Sequence, residues 1–300
     1  MAWFIAALGT AFFFSLSNTL DSFFTNKVFP STRSIAFYSV CFNIVVIPIV
    51  FLVGSPDLTP PLGMLAIFAL IGLFDVLYLA PYYRAMQIED ASIVTALFSL
   101  GRMYAPFLAY ILVGEVVSLP QYLGFAMILA ASVLLTLDFS EKRLRINRSF
   151  WYVLIAALLI YSEGSLYKYT FIRDTHWSTG IFWAAIFSMV WMGFTLVSAR
   201  QRTAVREGVP ALKKTFWLFS MEELSTAVAV MLLVYATSLA PITLVNGIVS
   251  VQPFIMLGLI PLLAPLFPHQ AFREDRSRRH ILKKLLLFVL MIAGVLLLGE

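Results

Sequence analysis

The segment Tyr82–Leu137 reads YYRAMQIEDASIVTALFSLGRMYAPFLAYILVGEVVSLPQYLGFAMILAASVLLTL. The pattern of the first half of this segment occurs a second time in the chain. A second segment, VYATSLAPITLVNGIVSVQPFIMLGLIPLL from Val234, lies over it after a shift of 151 residues, half of the 300-residue chain. The shift brings Ala85 onto Ala236, Ser92 onto Thr243, Val94 onto Val245 and Ser99 onto Ser250. A pattern that occurs twice, half a chain apart, predicts two similar halves.

The composition around these segments is that of a membrane protein. Hydrophobic residues make up 61% of the chain and charged residues 12%, with a mean hydropathy of +0.90. In soluble domains about a quarter of the residues are charged. The chain divides into apolar runs of the length that a bilayer core of about 30 Å requires. We therefore expect an all-α integral membrane protein, and we expect Cys41, the one cysteine, to serve in packing.

The apolar runs predict ten transmembrane helices, five in each half. Proline, glycine and charged residues mark the connections between them. The predicted spans are 3–24, 34–53, 62–83, 91–113, 119–137, 150–172, 178–199, 215–236, 241–263 and 281–299.

Lysine and arginine fix the expected orientation. Eighteen of them fall in the loops after odd-numbered helices, and Arg173 alone falls in the loops after even-numbered ones. The positive-inside rule then places the odd-numbered loops in the cytoplasm and both termini outside. Because each half holds an odd number of helices, the second half crosses the membrane in the opposite sense. This is an inverted repeat, with a substrate site expected near the midplane.

Polar side chains within the spans are the candidate site residues, because an ionisable group in hydrocarbon costs about 2.5–3.5 kcal/mol on insertion scales. We expect a substrate to contact Asp75, Tyr78, Tyr82, Arg102, Glu163, Tyr167, Glu222 and Gln252. Asp21 and Lys168 are expected to reach toward the membrane surfaces. Adjacent helical residues point in different directions, so one of Glu222 and Glu223 is expected to face a neighbouring helix or a loop cation such as Lys213.

The excess of acidic groups favours a cationic or zwitterionic solute, with tyrosine rings adding cation–π attraction of about 0.5–2 kcal/mol. Arg102 has two readings. It could hold a solute carboxylate in a bidentate fork, or form a structural ion pair with Asp75 or Glu163. Amino acids and amines both stay open as substrates. Since carboxyl groups removed from water retain a proton more readily, Asp75 or Glu163 could also carry a coupling proton.

Several functions are not supported by the sequence. It holds no GxxxxGK[ST], HExxH or GxSxG motif and no paired cysteines. We therefore predict neither an enzyme nor a bound cofactor or metal. The basic run FREDRSRRHILKK fits a cytoplasmic loop at anionic headgroups better than a nucleic-acid site. The expected partners are a small-molecule substrate and membrane lipids, with monomer and homodimer both left open.

The sequence also resembles a known family, the EamA-type branch of the drug/metabolite transporter superfamily. The resemblance rests on YYRAMQIEDASIVTALFSL, on Pro106, and on LVGEVVSLPQYLGFAMILAASVLLTL with its Gly114–Glu115 pair and Gly124. The segment Asn18–Asp21 is similar to an Asn-x-x-Asp motif of one subgroup, although Ser22 follows it here instead of lysine. The second half lacks the Gly-Glu pair. The resemblance implies a ten-helix carrier of small metabolites in a bacterial-type inner membrane.

Together these features predict one membrane domain over 1–300, with EamA-like repeats at 1–138 and 150–300. The predicted function is secondary or facilitative transport of small polar metabolites by alternating access. The alternative is a lipid-handling flippase or scaffold protein, whose polar residues would line a groove open to lipid.

Overall fold

The computed structural model describes residues 1–88, 91–139, 148–263 and 278–299. Within these ranges the chain is helical and contains no β-strand, which confirms the predicted all-α class. A π-helical turn, Phe24–Val28, follows the first helix. The α-helices are α1 (Ala2–Phe23), α2 (Thr32–Cys41), α3 (Asn43–Gly54), α4 (Leu62–Ile88), α5 (Ala91–Gly101), α6 (Tyr104–Val113), α7 (Leu119–Phe139), α8 (Arg148–Phe171), α9 (Trp177–Thr195), α10 (Ala199–Leu239), α11 (Ile242–Val249), α12 (Gln252–Leu263) and α13 (Arg278–Leu298).

Ten apolar stretches occur among these helices. Five are long and apolar enough to cross a membrane: Thr32–Gly54, Leu62–Ile88, Arg148–Phe171, Trp177–Thr195 and Ala199–Leu239. The five shorter ones are Ala2–Asn18, Leu97–Val113, Leu119–Leu135, Ile242–Met256 and Leu285–Leu298. Large apolar side chains such as Leu52 and Trp217 are more than 80% exposed, as expected of surfaces that face lipid instead of water.

Three of the predicted spans are interrupted in the structure. The second is divided at Phe42 into α2 and α3, the fourth at Arg102 and Met103 into α5 and α6, and the ninth at Ser250 and Val251 into α11 and α12. A backbone break in an apolar environment requires new partners for the freed carbonyl groups. At the last break the hydroxyl of Ser132 donates to Ser250 O, and Ser15 Oγ donates to Gln252 O at 3.1 Å.

The predicted loop before the eighth span, residues 200–214, is wrong, because these residues form the first part of α10. Gly208 and Pro210 fall in this predicted connection, yet both lie inside the helix, which kinks at Thr215 (φ −116°, ψ 17°) instead. This polar segment packs against α2, where Tyr38 Oη donates to Val205 O at 2.7 Å. A Cβ atom on Gly208 would lie 2.7 Å from Ser34 Cβ, so the glycine permits a close approach of the two helices and is no terminator.

The main helix contacts join the two halves of the chain. Helix α1 packs along α10, α4 along α8, and α7 along α13. Helix α9 packs on α3 and α4. The broken helix α5–α6 packs on α8, and the broken helix α11–α12 packs on α1. Three buried apolar clusters, around Phe24, Phe68 and Ile128, hold these pairs together. Between the pairs a space is left in which the polar side chains lie.

Candidate functional site

A cavity of about 280 Å³ lies between the two halves. All eight side chains that the sequence predicts to contact a substrate line this one cavity: Asp75, Tyr78, Tyr82, Arg102, Glu163, Tyr167, Glu222 and Gln252. They come from α4, α8, α10, α12 and the break between α5 and α6. The structure thus brings the nominated residues together. Their role in binding a substrate stays a prediction.

The two broken helices meet at the cavity wall. Arg102, in the first break, donates from Nη2 to Gln252 Oε1 at 2.7 Å and from Nη1 to Ser99 Oγ at 3.2 Å. Gln252 begins α12 just after the second break. Arg102 is only 6% exposed, so these neutral partners hold a guanidinium that has little contact with water. The ion pair of Arg102 with Asp75 or Glu163, one of its two predicted roles, is absent from the hydrogen bonds and ion pairs of the described residues.

Asp75 and Glu163 form one acidic group on facing helices. Asp75 is near the middle of α4 and lies within hydrogen-bond reach of the Ser188 hydroxyl, which also donates to Ala184 O at 2.9 Å. Glu163 interacts electrostatically with Asp75 and is 8% exposed. Its Oε2 atom is buried and has no hydrogen-bond partner among the described residues, and the same is true of Gln252 Nε2. Each of these two atoms in the cavity wall can therefore form a further hydrogen bond, Oε2 as an acceptor and Nε2 as a donor.

Asp21, Glu222 and Glu223 form a second acidic group, on α1 and α10. Asp21 accepts hydrogen bonds from Tyr82 Oη at 3.0 Å and from Tyr83 Oη at 3.4 Å. Glu222 Oε1 accepts from Ser17 Oγ at 2.9 Å and from Thr226 Oγ1 at 3.1 Å. Glu223 forms hydrogen bonds with Ser39 and Glu222. A hydrogen bond between two carboxyl groups requires a proton on one of them.

Two expectations about these acidic residues are wrong. Asp21 does not reach the membrane surface: it is 8% exposed and lines the cavity. Glu222 and Glu223 both line the cavity, although they are sequence neighbours. The physical reason is that the cavity borders a wide arc of α10, so side chains that diverge by about 100° can both reach it. A signal for Asp21 was available, since Ser17 lies one helical turn before it on the same face.

Lys168 lies near the end of α8 and against the C-terminal end of α10. It is partly exposed, and its Nζ donates to Thr237 O at 2.8 Å and to Ala240 O at 2.9 Å. Its expected reach toward the membrane surface stays a prediction. The last carbonyl groups of a helix have no intrahelical partner, and a cation satisfies them well. Lys168 therefore caps the C-terminal end of α10 and does not appear among the cavity-lining residues.

Glu115 makes the matching contact at the start of α11. Its carboxylate accepts from Ile242 N at 2.9 Å, from Thr243 N at 3.1 Å and from Thr243 Oγ1 at 3.1 Å. A carboxylate on the free N–H groups of a helix N-terminus forms strong, charge-assisted hydrogen bonds. Glu115 and Lys168 thus hold the α10–α11 turn from both sides, next to the cavity residue Ile242.

The residues that the structure describes contain no cluster of three or more histidine, cysteine, aspartate or glutamate side chains with the geometry to hold a metal ion. The chemistry that the described cavity residues offer is consequently that of carboxyl groups, tyrosine rings, hydroxyls, side-chain amides and one guanidinium.

Helices with lipid-facing apolar surfaces around a polar interior define an integral, multi-pass membrane protein. Residues 1–137 match the model of the EamA-like transporter family, which confirms the resemblance found in the sequence over that part of the chain. No curated protein matches the chain. A crystal structure of another protein is similar over 99% of this chain and 94% of that one, with a TM-score of 0.64 and 14% identity. At this identity the similarity concerns the fold alone.

Proposed function

We propose that the chain is a secondary or facilitative transporter that moves small cationic or zwitterionic solutes, such as amines or amino acids, by alternating access. The observation that carries this proposal is the partnerless acceptor in the cavity wall, Glu163 Oε2. Burying a hydrogen-bonding group without a partner costs about 1–3 kcal/mol, and more for a charged group. An ammonium group that donates to Glu163 Oε2 would remove that cost while the solute is bound.

The helix contacts support two inverted five-helix repeats with ten spans in all, at 1–138 and 150–300. If α1, α4 and α7 occupy the first, third and fifth positions of one repeat, then α8, α10 and α13 occupy those positions in the other. The contact of α1 with α10 then corresponds to that of α4 with α8, and the contact of α7 with α13 corresponds to itself. Both repeats carry a broken fourth helix. Such pseudo-symmetry around a central site is typical of carriers that rock between two states.

Lysine and arginine support the proposed orientation, with odd-numbered loops in the cytoplasm and both termini outside, in a bacterial-type inner membrane. A proton is the proposed coupling ion, because an incoming ammonium group can displace a proton from a buried carboxyl group. The chain holds both repeats, so one copy could form a complete site, although a homodimer is compatible with it.

A thermal-shift screen of detergent-purified protein tests the proposal. A ligand that binds only the folded state at 100 times its Kd stabilises that state by about 2.7 kcal/mol. We expect small cations or amino acids to raise the melting temperature, and Asp75→Asn or Glu163→Gln to remove the shift. The matched control is Glu207→Gln, an exposed acidic residue on α10, which should keep the shift. Stabilisation by lipids alone, or a shift that survives both cavity substitutions, would contradict the proposal and favour the lipid-handling function.

A further inference from the structure

The carboxyl groups of the cavity lie in two sets with Tyr78 between them. One set is Asp75 and Glu163, and the other is Asp21, Glu222 and Glu223. Tyr78 is close enough to interact electrostatically with four of these five groups, namely Asp75, Glu163, Asp21 and Glu223. Its ring centre is 6.1 Å from that of Tyr82, which binds Asp21. The two sets therefore belong to one continuous space with an aromatic wall.

Neither set has a basic partner among the described residues. The described groups that act on these five carboxyls are hydroxyls and other carboxyls. Arg102 is the one basic side chain among the described cavity residues, and both of its terminal nitrogens already donate to Ser99 and Gln252. Burying a charge without a partner is strongly unfavourable, so each set needs protons or an external cation. The Oε2 atom of Glu163 has no partner among the described residues, and its side chain is more than nine-tenths buried. This free acceptor favours an external cation over protons.

The spacing of the two sets follows from α4. Asp75 and Tyr82 are seven residues apart, which is about 10 Å of rise in an α-helix. Tyrosine side chains in helices lean toward the N-terminus, so the Tyr82 hydroxyl lies nearer to Asp75 along the helix axis. The two acidic sets are thus about 6–10 Å apart along α4. A single ammonium group cannot contact both sets at that distance, whereas the two ends of a short alkyl chain can.

We infer that the preferred solutes are short linear diamines, with one ammonium group held by Asp75 and Glu163 and the other by Asp21, Glu222 and Glu223. This inference rests on the proposed transport function and specifies its substrate class. The methylene stem would lie along Tyr78, Leu79 and Tyr82, which supply apolar and aromatic surface between the two charged ends. An amino acid fits less well, because its carboxylate would have to displace Gln252 or Ser99 from Arg102.

The test is competition for uptake into proteoliposomes, with labelled cadaverine as the probe. The unlabelled competitors are cadaverine, putrescine, n-pentylamine and lysine. Pentylamine has the carbon chain of cadaverine but only one ammonium group, so it is the matched ligand control. We expect cadaverine to compete at least about tenfold more strongly than pentylamine, since a tenfold preference corresponds to about 1.4 kcal/mol.

Substitutions in each acidic set test whether that set holds one of the two ammonium groups. In Glu163→Gln and in Glu222→Gln we expect the preference for cadaverine over pentylamine to fall below about threefold, whereas the exposed control Glu207→Gln should keep it. Glu163→Asp retains the carboxyl group and should restore part of the preference. This result would show that the loss in Glu163→Gln comes from the missing carboxyl group and not from misfolding. A monodisperse size-exclusion profile establishes that each variant is folded.

The outcomes separate the inference from the proposed function. If pentylamine or lysine competes as well as cadaverine, or if the preference survives both Gln substitutions, the diamine inference is overturned and transport of small cations stands. If no amine or amino acid is bound or taken up, both the inference and the proposed function are overturned.

Discussion

Substituting Gly124 by alanine should weaken the contact between α7 and α13. A Cβ atom at Gly124 would lie 2.6 Å from Gly294 O, 3.0 Å from Leu297 Cβ and 3.1 Å from Leu298 N. The facing glycine is equally confined, because a Cβ on Gly294 would lie 2.7 Å from Ile128 Cγ1 and 2.8 Å from Gly124 O. Carbon–oxygen contacts between helices are normally about 3.3–3.6 Å, so the helices would have to separate by about 0.7 Å or more.

The expected magnitude is the difference between two effects. Overpacking a close contact costs about 1–3 kcal/mol, while replacing glycine by alanine within a helix gains about 0.8–1.0 kcal/mol in helix propensity. Gly193→Ala isolates the second effect, because a Cβ atom at this exposed position in α9 has no neighbour within 4 Å. We expect Gly193→Ala to be neutral or stabilising and Gly124→Ala to be about 1–3 kcal/mol less stable than Gly193→Ala.

The assay is unfolding of both purified variants in the same detergent, followed by heat and by added SDS. If the two variants unfold at the same temperature and the same SDS fraction, then α7 and α13 do not approach each other as closely as the structure has them, and the reasoning fails.

Three other substitutions address the site and its supports. Gln252→Leu should destabilise the protein by about 1–3 kcal/mol, since it removes the acceptor of Nη2 of the buried Arg102, whereas Gln252→Glu should keep the contact; thermal unfolding of the pair checks this, and equal losses would contradict it. Glu115→Gln should cost about 1–2 kcal/mol by removing the charge at the start of α11, with Asp174→Asn as the exposed control; a loss that is no larger than the control's would refute the role. Ser31→Ala should cost about 1 kcal/mol, because Ser31 Oγ accepts from Ser34 N at 3.2 Å at the start of α2; unchanged unfolding would show that the cap is not needed.

Much of the site could be predicted from the sequence because the bilayer makes polar residues informative. Asp75 and Glu163 stand in the middle of apolar runs, where a carboxyl group needs a cavity, and the structure places both in one. For Asp21 the sequence predicts the wrong environment. Its position near the end of the first span suggested the surface, and only the tertiary contacts with Tyr82 and Tyr83 bury it.

The helix ends were harder to predict than the helices. Gly208 and Pro210 are ordinary stop signals, yet the close packing of Gly208 on Ser34 and Tyr38 overrides them. The breaks at Arg102 and Ser250 have a local cause in Pro106 and Pro253, which cannot donate to the carbonyl groups of Arg102 and Val249 four residues earlier. At the Ser250 break, however, the hydroxyls of Ser132 and Ser15, which bond to the carbonyl groups of Ser250 and Gln252, are far away in sequence. Local propensity does not contain these long-range partners.

The contact of α1 with α10 has a consequence for biosynthesis. Thr10 Oγ1 donates to Ala229 O at 3.3 Å across a sequence separation of 219 residues. At a synthesis rate of about 5–20 residues per second, the first helix waits about 10–45 s for this partner to be made. During that interval Thr10, Ser17 and Asp21, which end up on the contact face of α1, have no α10 to bury them. The nascent first helix should therefore remain associated with the insertion machinery until the second half of the chain arrives.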